Sequence, residues 1–323
     1  MKYRNLGASG LKISELSLGS WLTYGETVDT SEAEAIIDAA YDCGINGFDT
    51  ADCYNAGAAE SVLGKALKKY DRSKLVVSSK VFVPMGEGPN ERGLSRKHLT
   101  EQVDAILKRM DMDYLDILYC HRYDPSVPLA ETLRTLDDLV RRGKVMYIGV
   151  SEWNASQIAQ ALAFEDRYLL DRLIVNQPLY NLLHRNIERE VLPFCSENGV
   201  GQLVYTPLAM GMLTGKYHKG QPGPAGSRLE NPKIGRWVRN DYFSDENFEK
   251  VENLRAVAEK YGLDMAQMCL AWNLSRKGIT GVIIGASRPE QVRRNVQAVD
   301  LCLTDEMMRD IDAAAPYPIE PPQ

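Results

Sequence analysis

The chain has 323 residues, a net charge of −6, 44% apolar residues and 25% charged residues, the profile of a soluble globular protein. The acidic balance argues against a nucleic-acid footprint, and no apolar run approaches the roughly 18 residues of a membrane span. The opening MKYRNLGASGLKIS lacks the apolar stretch of a secretory signal. These features predict a cytoplasmic protein with no direct membrane insertion.

Cysteines 43, 53, 120, 195, 269 and 302 are scattered, without a CxxC pair, and are expected to be reduced thiols. The four histidines, His98, His121, His184 and His218, show no ligand spacing, so no metal site is expected.

In chain order, YRNL, a turn at Gly7–Gly10 and LKIS predict an N-terminal β-hairpin. Short apolar runs then predict eight strands: 15–18, 46–49, 75–80, 115–121, 145–150, 173–176, 202–206 and 282–285. Apolar residues at three- and four-residue spacing predict helices at 30–42, 58–69, 96–110, 129–142, 156–164, 187–198, 246–261 and 289–299. The clearest, 96–110, has Ser95 as its cap and Leu99, Val103, Ile106, Leu107 and Met110 as its inner face. An extra helix at 265–277 precedes the last strand. Residues 207–245, interrupted by Gly and Pro, read as a long binding loop after strand seven. The tail PYPIEPPQ has no regular pattern. The alternation predicts a single (β/α)₈ TIM barrel over residues 1–323. A doubly wound open sheet is the alternative, but no GxGxxG follows a strand.

Asp49, Lys80 and His121 stand at or just past the ends of strands two, three and four, and Tyr54 follows Asp49 by five positions. In a parallel barrel those ends share one rim. Taken singly, each residue is explained by capping or solvation; four such types at three adjacent strand ends suit reduction of a carbonyl. Tyr54 donates the proton, Lys80 lowers its pKa, Asp49 holds the lysine charged, and His121 polarises the carbonyl.

GFDTADCY with AAESVLGKAL resembles the aldo-keto reductase signature around the catalytic Asp and Tyr. VSSK and LDILYCHRYDP match the positions of its Lys and His, and RGLSRKHL, TPLAMGMLTGKY and IIGASRPEQVRRN extend the likeness. The chain most resembles the branch holding the β-subunits of voltage-gated potassium channels and their bacterial relatives. The resemblance implies a nicotinamide cofactor bound without a Rossmann fold and hydride transfer to an aldehyde or ketone. In several channel β-subunits the histidine position holds asparagine; His121 here favours a working reductase. The alternative is an NADP-binding regulatory β-subunit of a membrane channel or transporter, with slow or no turnover. A homo-oligomer is compatible with either.

The family match also nominates cofactor contacts. Ser151 and Gln177 read the carboxamide, Tyr205 stacks on the nicotinamide, and Ser20 and Trp21 stand at the end of strand one. Thr206, Pro207, Leu208, Ala209, Gly211, Lys216 and Arg228 lie on a strap over the pyrophosphate. A strand running into a helix start suits an anion, so Gly285, Ser287, Arg288 and Gln291 take the 2′-phosphate and Asn295 the adenine. Arg288 and the likeness favour NADP over NAD. Glu152 and Arg294 depart from the channel branch, where an arginine and a glutamate stand. The substrate mouth draws on Trp21, Tyr24, Tyr54, Phe82, His121 and Arg122. Sugar aldehydes, methylglyoxal-like carbonyls and aromatic aldehydes all fit it.

Overall fold

A computed structural model describes residues 1–21 and 29–318. Strands β1 (Tyr3–Asn5) and β2 (Lys12–Ser14) pair antiparallel as the expected hairpin. The barrel is built from β3 (Leu16–Gly19), β4 (Gly47–Asp49), β5 (Val76–Val81) and β6 (Leu115–Cys120). It is completed by β7 (Val145–Ser151), β8 (Leu173–Gln177), β9 (Gly201–Tyr205) and β10 (Ile279–Ile284). All eight pair in parallel, and β10 closes onto β3 through Val282 to Ile284 against Leu16 to Leu18. The fold is a (β/α)₈ barrel. Every residue of β5 and β6 is buried, as expected for parallel strands covered on both faces.

The helices are α1 (Thr30–Asp42), α2 (Ala58–Leu67), α3 (Arg96–Met110), α4 (Leu129–Arg141) and α5 (Ala155–Tyr168). They continue as α6 (Val191–Glu197), α7 (Pro232–Tyr242), α8 (Asp245–Lys260), α9 (Met265–Ser275), α10 (Pro289–Val296) and α11 (Asp305–Ala314). Ser95 caps α3 by accepting from the His98 amide at 3.2 Å, and its five expected inner residues are all buried. Among the described residues no helix is long and apolar enough to cross a membrane.

The hairpin closes the N-terminal mouth of the barrel. Leu6 and Ile13 pack with the interior residues Val76, Ile117, Tyr119, Val175 and Leu203. Arg4 ties it down by donating to the Ile279 carbonyl at 2.8 Å and the Leu274 carbonyl at 3.0 Å. With that end plugged, only the C-terminal rim remains for chemistry.

Two elements differ from the sequence expectation. The long segment after β9 is not all loop: Ile234, Val238 and Tyr242 share a buried face at helical spacing and form α7. The helix α11 was not expected; its buried Ile311 and Ala314 dock it against the barrel's outer shell.

Candidate functional site

Backbone pairing aligns the expected residues. Past β4 the chain keeps its register with β5, the Thr50 amide donating to the Ser78 carbonyl at 3.0 Å and the Asp52 amide to the Lys80 carbonyl at 3.2 Å. The His121 amide likewise donates to the Val81 carbonyl at 3.0 Å. Tyr54 opens a 3₁₀ turn, Tyr54–Gly57, in which Asn55 and Ala56 hold left-handed φ values of 49° and 51°. For residues with a Cβ such conformations cost about 1–3 kcal/mol, a strain that recurs at functional sites.

Asp49, Tyr54, Lys80 and His121 converge. The Lys80 ammonium donates to Asp49 Oδ1 at 2.5 Å and to the Thr50 carbonyl at 2.7 Å. It lies 4.9 Å from the centre of the Tyr54 ring. The His121 ring meets Tyr54 edge-on, 5.9 Å between centres. Asp49 Oδ2 accepts from Ser78 Oγ at 2.8 Å and from Gln177 Nε2 at 2.9 Å, so both carboxylate oxygens are engaged. The Asp49 and Lys80 side chains are 5% and 1% exposed, which makes their mutual neutralisation essential. Asp49→Ala should therefore cost about 3–5 kcal/mol of stability by stranding a buried ammonium. Urea denaturation of Asp49→Ala against Asp49→Ala/Lys80→Met checks this, the double variant recovering part of the loss.

The phenol departs from expectation. Burial first, and then the Asp49 charge, hold Tyr54 well above its ordinary value, whereas a lowering by Lys80 was anticipated. The reason is geometric: Lys80 is neutralised by Asp49, and the phenol is shut away from water. Tyr54 is therefore fully protonated at neutral pH. Burial, reinforced by Lys80 and Arg122, pulls His121 down to about 2, so its imidazole is neutral. Cys53 Sγ lies 3.8 Å from His121 Nδ1, and burial with the Asp52 charge pushes that thiol up to about 12. Thiol and ring are both uncharged, and their contact is a hydrogen bond whose direction follows the ring tautomer.

The nominated cofactor residues gather in two groups. Ser20 is buried at the end of β3 with its hydroxyl lacking a hydrogen-bond partner. Ser151 Oγ donates to the Gln177 carbonyl at 2.8 Å, and Gln177 Nε2 donates to Asp49 Oδ2 at 2.9 Å. Tyr205 is half-buried at the end of β9, its phenol within electrostatic reach of Tyr54 and Arg122. Beyond it Thr206, Ala209, Met210 and Gly211 hold left-handed φ of 55°, 48°, 52° and 100°, turning the chain tightly around Pro207 and Leu208.

The second group is cationic. Burial, then Arg228 and Arg288, pull Lys216 down to about 8. A Cβ on Gly211 would come within 2.9 Å of Lys216 Cε, and one on Gly285 within 3.2 Å of Arg228 Nη2. None of the three cations is ion-paired to a carboxylate among the described residues. Lys216 thus lies in the field of two like charges, a local concentration of positive potential. Ser287 donates its amide to Gln291 Oε1 at 2.8 Å, so these two nominated residues bind each other at the start of α10. Asn295 is buried on the same helix, while Arg294 is held by Asp264.

At the mouth Trp21 stacks on Trp237 of α7, 6.0 Å between ring centres, and leans on Tyr54 at 6.4 Å. Arg122 is exposed and donates to the His121 carbonyl at 2.6 Å. Phe82 is half-buried against the outer core. Tyr24 lies outside the described residues. Glu152, with φ of 58°, accepts the Leu179 amide. Sequence reasoning missed Trp237, whose signal was the helical spacing of α7, and Asp52 and Cys53, which sit inside the quoted DTADCY. An open surface depression of about 500 Å³ near the start of α3, lined by Ser95, Arg96 and Glu131, shares none of these residues.

These features define a class: a parallel barrel whose C-terminal rim joins a carboxylate–lysine pair, a protonated phenol and a neutral imidazole, flanked by an unpaired cationic cluster. A model of the aldo/keto reductase family matches residues 15–316, and the chain belongs to that family. It is 44% identical over 305 residues to a probable voltage-gated potassium channel subunit beta of Arabidopsis thaliana, covering 93% of this chain and 92% of that protein. It is 43% identical over 320 residues to a probable voltage-gated potassium channel subunit beta of Oryza sativa subsp. japonica, covering 97% and 96%. A putative voltage-gated potassium channel subunit beta of Schizosaccharomyces pombe is 41% identical over 319 residues, covering 96% and 92%.

Proposed function

We propose that the protein is an NADPH-dependent reductase of aldehydes or ketones in which Tyr54 is the proton donor. The observation that carries the reading is the Lys80 ammonium 4.9 Å from the Tyr54 ring, with the His121 ring 5.9 Å from the same phenol. The cofactor fits the residues present: the Ser20 hydroxyl is an unpartnered buried group, and Lys216, Arg228 and Arg288 supply charge for its phosphates. When bound, the reduced nicotinamide supplies the hydride. The chain supplies the rest. Tyr54, protonated across the neutral range, gives its hydroxyl proton to the carbonyl oxygen. His121 Nε2–H donates a hydrogen bond to that oxygen and polarises it. Lys80 then faces the tyrosinate left behind, and Asp49 keeps the ammonium charged and fixed. Trp21 and Trp237 stack beside Tyr54 and give its surroundings an apolar wall.

The test is direct: purified protein with NADPH and an aromatic aldehyde should oxidise NADPH steadily, and its absence across aldehydes and ketones rejects the reading. The relatives' names favour a second reading, an NADP-binding subunit of a membrane channel. Tight NADPH binding without oxidation supports that alternative.

Lys216 adds a pH dependence. Its folded value of about 8 lies below the ordinary 10.5, so the unfolded chain binds more protons between these values. The destabilisation that Lys216 contributes to the ligand-free protein should therefore shrink as pH climbs through that window, read as the difference between the wild type and Lys216→Met at each pH. NADPH affinity should move the opposite way and weaken above about pH 8, as the ammonium that faces its phosphates discharges. Thermal melts and fluorescence titrations across the window check both signs.

A further inference from the structure

Asp52 is fully buried, and beyond the backbone of its neighbour Cys53 its carboxylate oxygens have no hydrogen-bond partner. A buried carboxylate is ordinarily paired or hydrogen-bonded. The cations whose field reaches it are ion-paired elsewhere, Lys80 to Asp49 and Arg109 through Nε to Glu60 at 2.6 Å. Across the rim, Cys53 Sγ stands 3.8 Å from His121 Nδ1. One oxygen of Asp52, this sulfur and a ring nitrogen of His121 all lie within 4.8 Å of one another. Among the described residues no other group of three His, Cys or carboxylate side chains meets that condition.

We propose that Asp52, Cys53 and His121 form a binding site for a thiophilic divalent cation of the zinc type. The spacing suits it. A tetrahedral ion with ordinary Zn–S and Zn–N bonds holds its sulfur and nitrogen roughly 3.6 Å apart, close to the separation present. The charge suits it too. With two ion pairs already balanced, a thiolate and a carboxylate cancel the charge of one dication. The thiol and imidazole donors select zinc-like ions over magnesium or calcium. On binding, the ion takes the place of the Cys53 proton and any proton held by Asp52, which pass to solvent; nothing is oxidised or reduced. The site shares His121 with the reductase reading but needs neither nucleotide nor carbonyl, so its binding is tested separately.

Cobalt(II) is the probe, added alone to the full chain and followed by its thiolate charge-transfer absorption. The expected result is one ion per chain, with the band present in the wild type and in Cys302→Ser, which removes the exposed thiol, and absent from Cys53→Val. Asp52→Asn keeps the shape of the side chain and should bind at least tenfold more weakly, a readout that survives if Cys53→Val fails to fold. No band, a band lost with Cys302→Ser or retained in Cys53→Val, or an unchanged affinity in Asp52→Asn overturns the site. Cobalt binding in a protein that reduces no carbonyl keeps the site and removes only the reductase; reduction without cobalt binding does the reverse.

Discussion

Tyr54→Phe is expected to lower turnover with any carbonyl substrate by about 10²–10⁴-fold, the range for loss of a positioned general acid. NADPH affinity should stay within a few-fold of the wild type. The substitution deletes one oxygen and keeps the ring that packs between Trp21, His121 and the Lys80 ammonium. Loss of fold is therefore not the expected cause of the defect. The phenol is held protonated by burial and by Asp49, so the wild-type donor is in place throughout the neutral range. Removing it leaves a developing alkoxide with only the His121 hydrogen bond. Stopped-flow measurement of NADPH oxidation, with fluorescence titration of the nucleotide, separates the two quantities. Undiminished turnover would assign the proton to another group.

The second large effect is expected from Arg288→Ala. The side chain is exposed at the N-cap of α10, where Pro289 opens the helix and unpaired amides add positive potential. With Arg228 it adds to the positive field at Lys216. A charge-assisted contact to a phosphate contributes about 1.5–3 kcal/mol, so NADPH should bind roughly ten- to a hundredfold more weakly. NADH, without the 2′-phosphate, should lose little. Equal weakening of both nucleotides would place Arg288 at the pyrophosphate or outside the site. Removing a cation from a cluster of three also relieves repulsion, so the ligand-free variant should be no less stable than the wild type.

Much of this was legible in the chain itself. Parallel strands are short and apolar throughout, so Leu115–Cys120 and Val76–Val81 stand out from the helices around them. Because active residues in such a barrel fall at strand ends, locating the strands also located Asp49, Lys80 and His121. The long segment after β9 was less legible. Its glycines and prolines signal a loop, whereas burial of Ile234, Val238 and Tyr242 is what makes α7 helical. That helix brings Trp237 to Trp21 across more than two hundred residues of sequence, a contact no local pattern encodes.

The same distinction governs the chemistry. Residue type and strand position, which are local properties, determined the barrel and the identity of its rim residues. The protonation states were decided only in the assembled protein. A pKa depends on which charges lie within a few ångströms and how much water is excluded, and both are set by segments distant in sequence. Asp49 meets Gln177 and Ser78, the Tyr54 phenol is raised rather than lowered, and Asp52, Cys53 and His121 come together only when β4 and β6 are held on either side of β5. The sequence names the groups; packing sets their charge.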